Sequence, residues 1–226
     1  MPGILYVVST PIGNLEDITY RAVSILKLVD IIAAEDTRTS RILLSRYEIK
    51  TKMVSYHEHN ERARAESLCK DLANGKNIAL ITDAGTPCIS DPGYVLVNLA
   101  RKEGFSIFPI PGPSSLTAAL AVSGLPTDQF YYTGFLPRKK GRKTKLEFLA
   151  SLPVTVVIFE SPHRVLKTIL DIDTYMGNRI ISVCRELTKK FEEVLFGPVQ
   201  EIREKIENST PRGEFVIVVA KEGYSL

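Results

Sequence analysis

Short apolar, β-branched runs at residues 4–9, 31–34, 52–56, 78–82 and 106–110 alternate with stretches of helical period, and this alternation limits the fold more than any other feature. Runs of four to six such residues bounded by turn signals read as strands, and strands separated by helix-length segments require crossover connections, hence a largely parallel sheet. Between the runs, Leu15, Ile18, Ala22, Val23, Leu26 and Val29 fall at helical spacing behind Asn14 as N-cap. Further helices are predicted over 38–47, capped by Asp36 or Thr37, and over 60–74, stopped by Gly75. Another opens at Ser114 and Ser115 and ends near Gly124.

Leu125 and Pro126 break the series, and a second one follows with strands at 131–135, 154–159, 180–184, 193–196 and 215–220. Its helices are predicted over 162–176, with Ser161 as N-cap, Pro162 in the first position and Gly177 as stop, and over 199–208. The chain therefore reads as α/β in two domains, 1–124 and 125–226, a length that lets each bury its own core. No internal repeat is visible. No stretch reaches the roughly 18 apolar residues of a membrane span, and the opening MPGILYVVSTP lacks a signal peptide's basic and long apolar regions, so a cytoplasmic protein without membrane contact is expected. Cys69, Cys88 and Cys184 are odd in number and without a CxxC pair, which indicates neither a disulfide framework nor a zinc site.

Ligands of an open α/β sheet gather at the carboxyl ends of its strands. Here those ends carry STPIGN (9–14), AEDTR (34–38), HEHNE (57–61), DAGTPCISDPG (83–93) and PGPSS (111–115). Glycine and proline let the backbone approach a ligand closely, although each loop taken alone is also ordinary turn chemistry. A GxxxxGK[ST] phosphate loop and a GxGxxG turn are both missing, which removes support for kinase, GTPase and simple dehydrogenase readings. In AEDTR, Glu35 and Asp36 either stabilise a cationic ligand or accept a proton, or else Asp36 caps a helix while Arg38 pairs with a neighbouring acid. His57, Glu58 and His59 are poorly spaced for a metal, and none is expected; substrate hydrogen bonding or a satisfied loop histidine fits better. The net charge of +3 proves no nucleic-acid partner, but PRKKGRKTK places Arg138, Lys139, Lys140, Arg142, Lys143 and Lys145 together without an acid. Such a run either neutralises phosphates or is a solvated surface loop. FESPHR opens a helix with His163 and Arg164 where an anion could sit, and Arg185 and Glu186 hold a similar place in CRELTKKFEE, where a capping or ion-pair role is the alternative.

In this order, LYVVSTPIGNLEDIT, AEDTR, HEHNE, TDAGTPCISDPG, PGPSS, FESPHR and CRELTKKFEE resemble the ribosomal-RNA-modifying branch of the tetrapyrrole (corrin/porphyrin) methylase superfamily, through nearly the whole chain. TDAGTPCISDPG with FESPHR sets that branch apart from precorrin methylases and diphthine synthase. The resemblance implies a two-domain class III methyltransferase fold, commonly a homodimer, with S-adenosylmethionine in the interdomain cleft. It implies methyl transfer to the ribose 2′-oxygen of a cytidine in the decoding region of 16S rRNA, within the small ribosomal subunit. It carries cofactor contacts onto Ile12, Thr86, Ile89, Ser114, Ser115, Phe159, Glu160, Leu187, Gly213, Glu214 and Phe215. Where relatives have an acidic GDP triplet this chain has Gly85, Thr86 and Pro87, so a carboxylate is lost there, which Asp83 either replaces or does not. Glu35, Asp36, His57 and Glu58 are the candidates to take the hydroxyl proton. Arg38, Arg138, Lys139, Lys140, Arg142, Lys143 and Arg164 would hold RNA phosphates, and Tyr56 or Phe135 would meet bases. A small tetrapyrrole precursor as substrate, and a non-catalytic RNA-binding factor, are the two alternatives.

Overall fold

Residues Ile31–Ala34 and Ile78–Ile81 are apolar throughout and buried throughout, which requires a sheet covered on both faces. In the computed structural model, which describes residues 1–225, the chain divides into two units, Met1–Ser114 and Ser115–Leu226. The first contains β1 (Ile4–Val8), α1 (Tyr20–Leu28), β2 (Ile31–Ala34), α2 (Thr37–Arg46), β3 (Lys52–Ser55), α3 (Glu61–Ala73), β4 (Ile78–Ile81), α4 (Tyr94–Lys102) and β5 (Ser106–Ile110). Its sheet is wholly parallel, in the order β3-β2-β4-β1-β5. Strand alternation sorts the apolar residues between two cores. Ile31, Ala33, Ile78 and Leu80 pack with Leu68 and Leu72 of α3 and Leu96 and Ala100 of α4. On the opposite face, Ile32, Ala34, Ala79 and Ile81 pack with Ala22 and Leu26 of α1 and Leu43 and Leu44 of α2. Each fully buried leucine or isoleucine contributes about 1.5–3 kcal/mol.

The second unit contains α5 (Ser115–Val122), β6 (Phe130–Phe135), α6 (Arg142–Ala150), β7 (Thr155–Glu160), α7 (Val165–Met176), β8 (Ile180–Arg185), β9 (Glu193–Pro198), α8 (Val199–Glu207) and β10 (Phe215–Val219). Its sheet, β6-β7-β10-β8-β9, is parallel only between β6 and β7. Leu146 and Leu149 of α6, Val165, Ile169 and Ile172 of α7 and Val199, Ile202 and Ile206 of α8 cover one face. Because α5 packs against β10, the division between units falls ahead of this helix and not after it at 124/125.

Two helix starts differ from expectation. Asn14 caps only the 3₁₀ turn Leu15–Asp17; Ile18 is extended, and the Thr19 hydroxyl, accepting from Ala22 N at 3.1 Å, begins α1 anew. Ser161 is not the cap of α7, because residues 162–164 form a turn ahead of the helix, with the Ser161 carbonyl accepting from Arg164 N and Val165 N at 3.0 Å each. Helix α4 arises where the sequence leads to no expected element, and α6 begins inside the basic run, for which a surface loop is one of two readings. All three cysteines are free thiols, and burial pushes those of Cys69 and Cys184 up to about 11. Among the described residues no helix is long and apolar enough to cross a membrane.

Candidate active site

The loops after β1, β4 and β5 are knitted into one edge of the first unit. Thr10 and Gly85 exchange both backbone hydrogen bonds, at 2.9 and 3.0 Å, and the Thr10 hydroxyl donates to the Thr82 carbonyl at 2.9 Å. The Thr86 hydroxyl donates to the Pro113 carbonyl at 3.4 Å; with its proton used there, it accepts from the Ser9 hydroxyl at 2.9 Å. Gly112 lies so close that a β-carbon would come within 3.0 Å of Ser9 Cβ. Ile12, Gly85 and Pro87 are buried in this edge, whereas Ile89 is exposed between Cys88 and Ser90, both at left-handed φ (73° and 63°). Non-glycine residues held there cost on the order of 1–3 kcal/mol each, a strain that concentrates at ligand sites.

Beside it, Glu35, Asp36, Thr37, Arg38, Ser55, His57 and Asp83 line a depression of about 520 Å³. The Asp36 carboxylate accepts from Arg38 N at 2.8 Å, capping α2, and from Arg38 Nη2 at 2.6 Å. These donors hold its carboxyl down at about 2. Glu35 accepts from the Thr82 hydroxyl at 2.6 Å and from Asp83 N at 3.3 Å. Asp83 receives Asp36 N on Oδ1 at 3.1 Å. Desolvation raises the Asp83 carboxyl above its ordinary value, and the charges of Glu35 and Asp36 add to the shift. His57 Nε2 faces the Asn60 amide at 3.2 Å; an amide donor there assigns the ring proton to Nδ1, which is buried and unpartnered. Glu58 is exposed and does not line the depression. Among the described residues no cluster of three or more histidines, cysteines or acids could hold a metal ion. Tyr56, read as a base contact, is fully buried, and its hydroxyl accepts from Leu96 N at 3.1 Å.

In the second unit, pairing aligns Glu160 and Arg185 across Phe215, which brings the ends of β7 and β8 to the start of β10. Glu186 N donates to the Glu214 carbonyl at 3.0 Å, and Glu214 N returns a bond to Glu186 Oε1 at 3.0 Å. Lys189 Nζ bonds both carboxylates at 3.0 Å. Burial opposes the charge on Glu186, but the Lys189 hydrogen bond and the Glu214 amide outweigh it and leave the carboxyl below its usual range. Gly213 sits at φ 87°, where a β-carbon would collide with the Glu186 carboxyl at 2.3 Å. Leu187 and Phe215 are buried, and Phe159 is half-buried.

Three residues assigned to ligands from sequence have side chains engaged within the protein. The Glu160 side chain is fully buried and turned inward, accepting from Ser161 N at 2.9 Å and the Thr168 hydroxyl at 2.7 Å and pairing with Arg164 at 3.3 Å, so any ligand contact falls to its backbone. Arg164 pairs with Glu160 through Nε and donates through Nη2 to the Leu136 carbonyl at 2.6 Å, which draws its guanidinium inward. Arg142 is 6% exposed and bonded to Asp171, Thr168 and the Pro137 carbonyl. Its spacing with Leu146 and Leu149, at i, i+4 and i+7, puts it on the inner face of α6, a sign the basic composition masked. Sequence reading gave no site role to Thr37, Ser55, Thr82 or Asn60; Thr82 meets Glu35 only when strand ends come together, whereas Asn60 bonds His57 three residues away.

The family model described as Tetrapyrrole (Corrin/Porphyrin) Methylases matches residues 4–203. The chain is 50% identical over 222 residues to "Ribosomal RNA small subunit methyltransferase I" of Halalkalibacterium halodurans, covering 98% of this chain and 77% of the relative. To the protein of the same name in Thermotoga maritima it is 45% identical, covering 96% of this chain and 98% of the relative. Among solved structures, diphthine synthase superposes with a TM-score of 0.75 at 13% identity, covering 96% of this chain and 89% of the other. A cobalt precorrin-4 methyltransferase superposes with a TM-score of 0.72 at 19% identity, covering 96% and 94%. At such identities the likeness concerns the fold alone.

Proposed function

This chain belongs to the tetrapyrrole (corrin/porphyrin) methylase family, and from that premise we propose that it methylates the ribose 2′-oxygen of a cytidine in the decoding region of 16S rRNA, using S-adenosylmethionine. The observation that carries this reading is the identity of 45–50%, over nearly the full chain, to relatives named for small-subunit rRNA methylation. It acts in this reading as a cytoplasmic homodimer on rRNA within the small subunit.

The residues present fit such a cofactor. In the first unit the Ser9, Thr10 and Thr86 hydroxyls, the close backbone at Gly85 and Gly112, and the apolar Ile12 and Ile89 form an edge without a lysine or arginine to repel a sulfonium. We assign cofactor contacts there to Ile12, Thr86, Ile89 and Ser114, and also to Ser115, the first residue of the second unit. In the second unit we assign them to Phe159, Leu187 and the backbone of Glu160 and of residues 213–215. When bound, S-adenosylmethionine supplies an electrophilic methyl group on a positively charged sulfur. Holding the attacking oxygen in line with it is the main catalytic demand, a contribution of up to about 7–11 kcal/mol in the best intramolecular cases.

A ribose hydroxyl must shed its proton as it attacks. Asp36 is a poor base, because Arg38 and the α2 terminus stabilise its charge. Glu35 is occupied by Thr82 and Asp83 N. Asp83, with one oxygen bonded to a single amide and its charge disfavoured, is the acceptor we assign. Arg138, Lys139, Lys140 and Lys143 remain exposed cations for RNA phosphates, and Phe135 remains an exposed ring for a base.

The test is calorimetric titration with S-adenosylmethionine, followed by methyl transfer to small-subunit particles from cells lacking this modification. Binding with 2′-O-methylation of a cytidine supports the reading. Binding without transfer to RNA redirects it to a small-molecule methylase, and absence of binding removes the cofactor.

A further inference from the structure

The basic run begins at two carbonyls that arginines hold from below. Leu136 O accepts from Arg164 Nη2 at 2.6 Å, and Pro137 O, one residue on, accepts from Arg142 Nη1 at 3.1 Å. The two guanidiniums belong to one network. Arg142 Nη2 donates to Thr168 Oγ1 at 2.8 Å, Thr168 passes its own proton to Glu160 Oε2 at 2.7 Å, and Glu160 Oε1 faces Arg164 at 3.3 Å. Arg142 Nε completes its set on Asp171 Oδ2 at 2.7 Å. Every nitrogen of the Arg142 guanidinium is thus engaged, in a side chain 7% exposed. Lysine could not span these partners, since its single ammonium lacks the planar fork.

Stability alone does not call for such a network. Buried ion pairs cost desolvation energy, and apolar residues of equal volume often serve as well or better. What the network does is fix the start of a turn whose outward side chains are cationic. Arg138, Lys139 and Lys140 are exposed, and among the described residues none of them takes part in an ion pair. The turn closes through Arg142 N to the Lys139 carbonyl at 3.2 Å, and Gly141 at φ 79° leads into α6, so both its ends are anchored by the residue that opens the helix.

We propose that Arg142 is a positioning residue which, with Asp171, Thr168 and Glu160–Arg164, holds the turn 136–141 as a preformed docking site for RNA phosphates. This deepens the proposed function and rests on its RNA substrate. A loop already ordered loses less entropy on binding, so its charges give more affinity than the same charges on a mobile tail. Loss of the anchor therefore weakens docking without removing a charge from the surface.

The test compares R142K, D171N and the triple variant R138Q/K139Q/K140Q in the full chain. Each is measured for thermal midpoint, S-adenosylmethionine affinity, binding of a labelled small-subunit rRNA fragment across a salt series, and kinetics on unmodified particles. The triple variant should flatten the log–log salt slope by about two units, as contacts are lost. R142K and D171N should keep cofactor affinity, kcat and the salt slope, while KM for particles and the RNA dissociation constant rise roughly fivefold or more, the signature of lost docking. Wild-type RNA affinity in both single variants overturns the positioning role. Parallel loss of cofactor and RNA affinity overturns it too, since that is a general structural defect. A wild-type slope in the triple variant instead overturns the phosphate-docking reading beneath it, so the two failures are told apart.

Discussion

Asp36 and Asp83 lie one hydrogen bond apart, yet their carboxyls are driven in opposite directions, and this makes them separable by experiment. The Asp36 value falls from 3.8 to about 2 through Arg38. A folded value below the unfolded one gives stability that is present above about pH 4 and lost as the pH falls toward 2. Asp36→Asn should therefore be less stable than the parent at pH 6, with the difference vanishing across that window in acid denaturation followed by circular dichroism. For Asp83 the sign reverses. Its folded value is raised, so the ionised form is penalised in the native state, a penalty absent below the unfolded value and growing as pH rises through the folded one. Asp83→Asn should be as stable as the parent or more so at neutral pH, yet lose turnover by roughly 10²–10⁴ if it takes the proton. Intact turnover in that variant, with both ligands still bound, sinks the assignment.

At the level of elements, α4 shows a helix start built from outside. Its N-cap Gly93 has no side chain, and a β-carbon there would strike Cys88 Sγ at 2.6 Å. The Tyr56 hydroxyl, from the loop after β3, accepts from Leu96 N instead, and burial keeps it un-ionised by pushing it up to about 12. Tyr56→Phe strands a buried amide, so it should cost about 1–3 kcal/mol in denaturant unfolding, and exchange at Leu96 N should quicken. No protection change at Leu96 would show that the helix is capped otherwise. This dependence also explains why α4 was not legible in sequence: YVLVNLARK follows a proline-glycine turn, Pro92–Gly93, and carries no side-chain cap of its own. α6 was hidden differently, because Arg142 reads as one more surface cation until Leu146 and Leu149 place it inward. The strands were legible because β-branched runs ended by glycine and proline are a local signal, and the strand-end loops came with them. Pairings such as Glu35 with Thr82, or Arg142 with Asp171, join segments far apart in the chain and leave no local pattern.

For the molecule as a whole, the buried apolar clusters divide without overlap: those of the parallel sheet lie within residues 5–110 and that of the mixed sheet within 136–219. Residues 115–226 expressed alone should therefore give a cooperative urea transition, and a gradual one with dye-binding exposed core would refute their independence. The parallel sheet has a consequence for the order in which the chain is made. Within the sheet, β1 pairs with β4 and β5, so Leu5 waits for Ile78 and Ile107. β2 meets β3 sooner, but its other edge also waits for β4. A chain still emerging from the ribosome thus carries an unpaired ILYVV strand until the keystone IALI arrives, the interval in which a chaperone has most to protect.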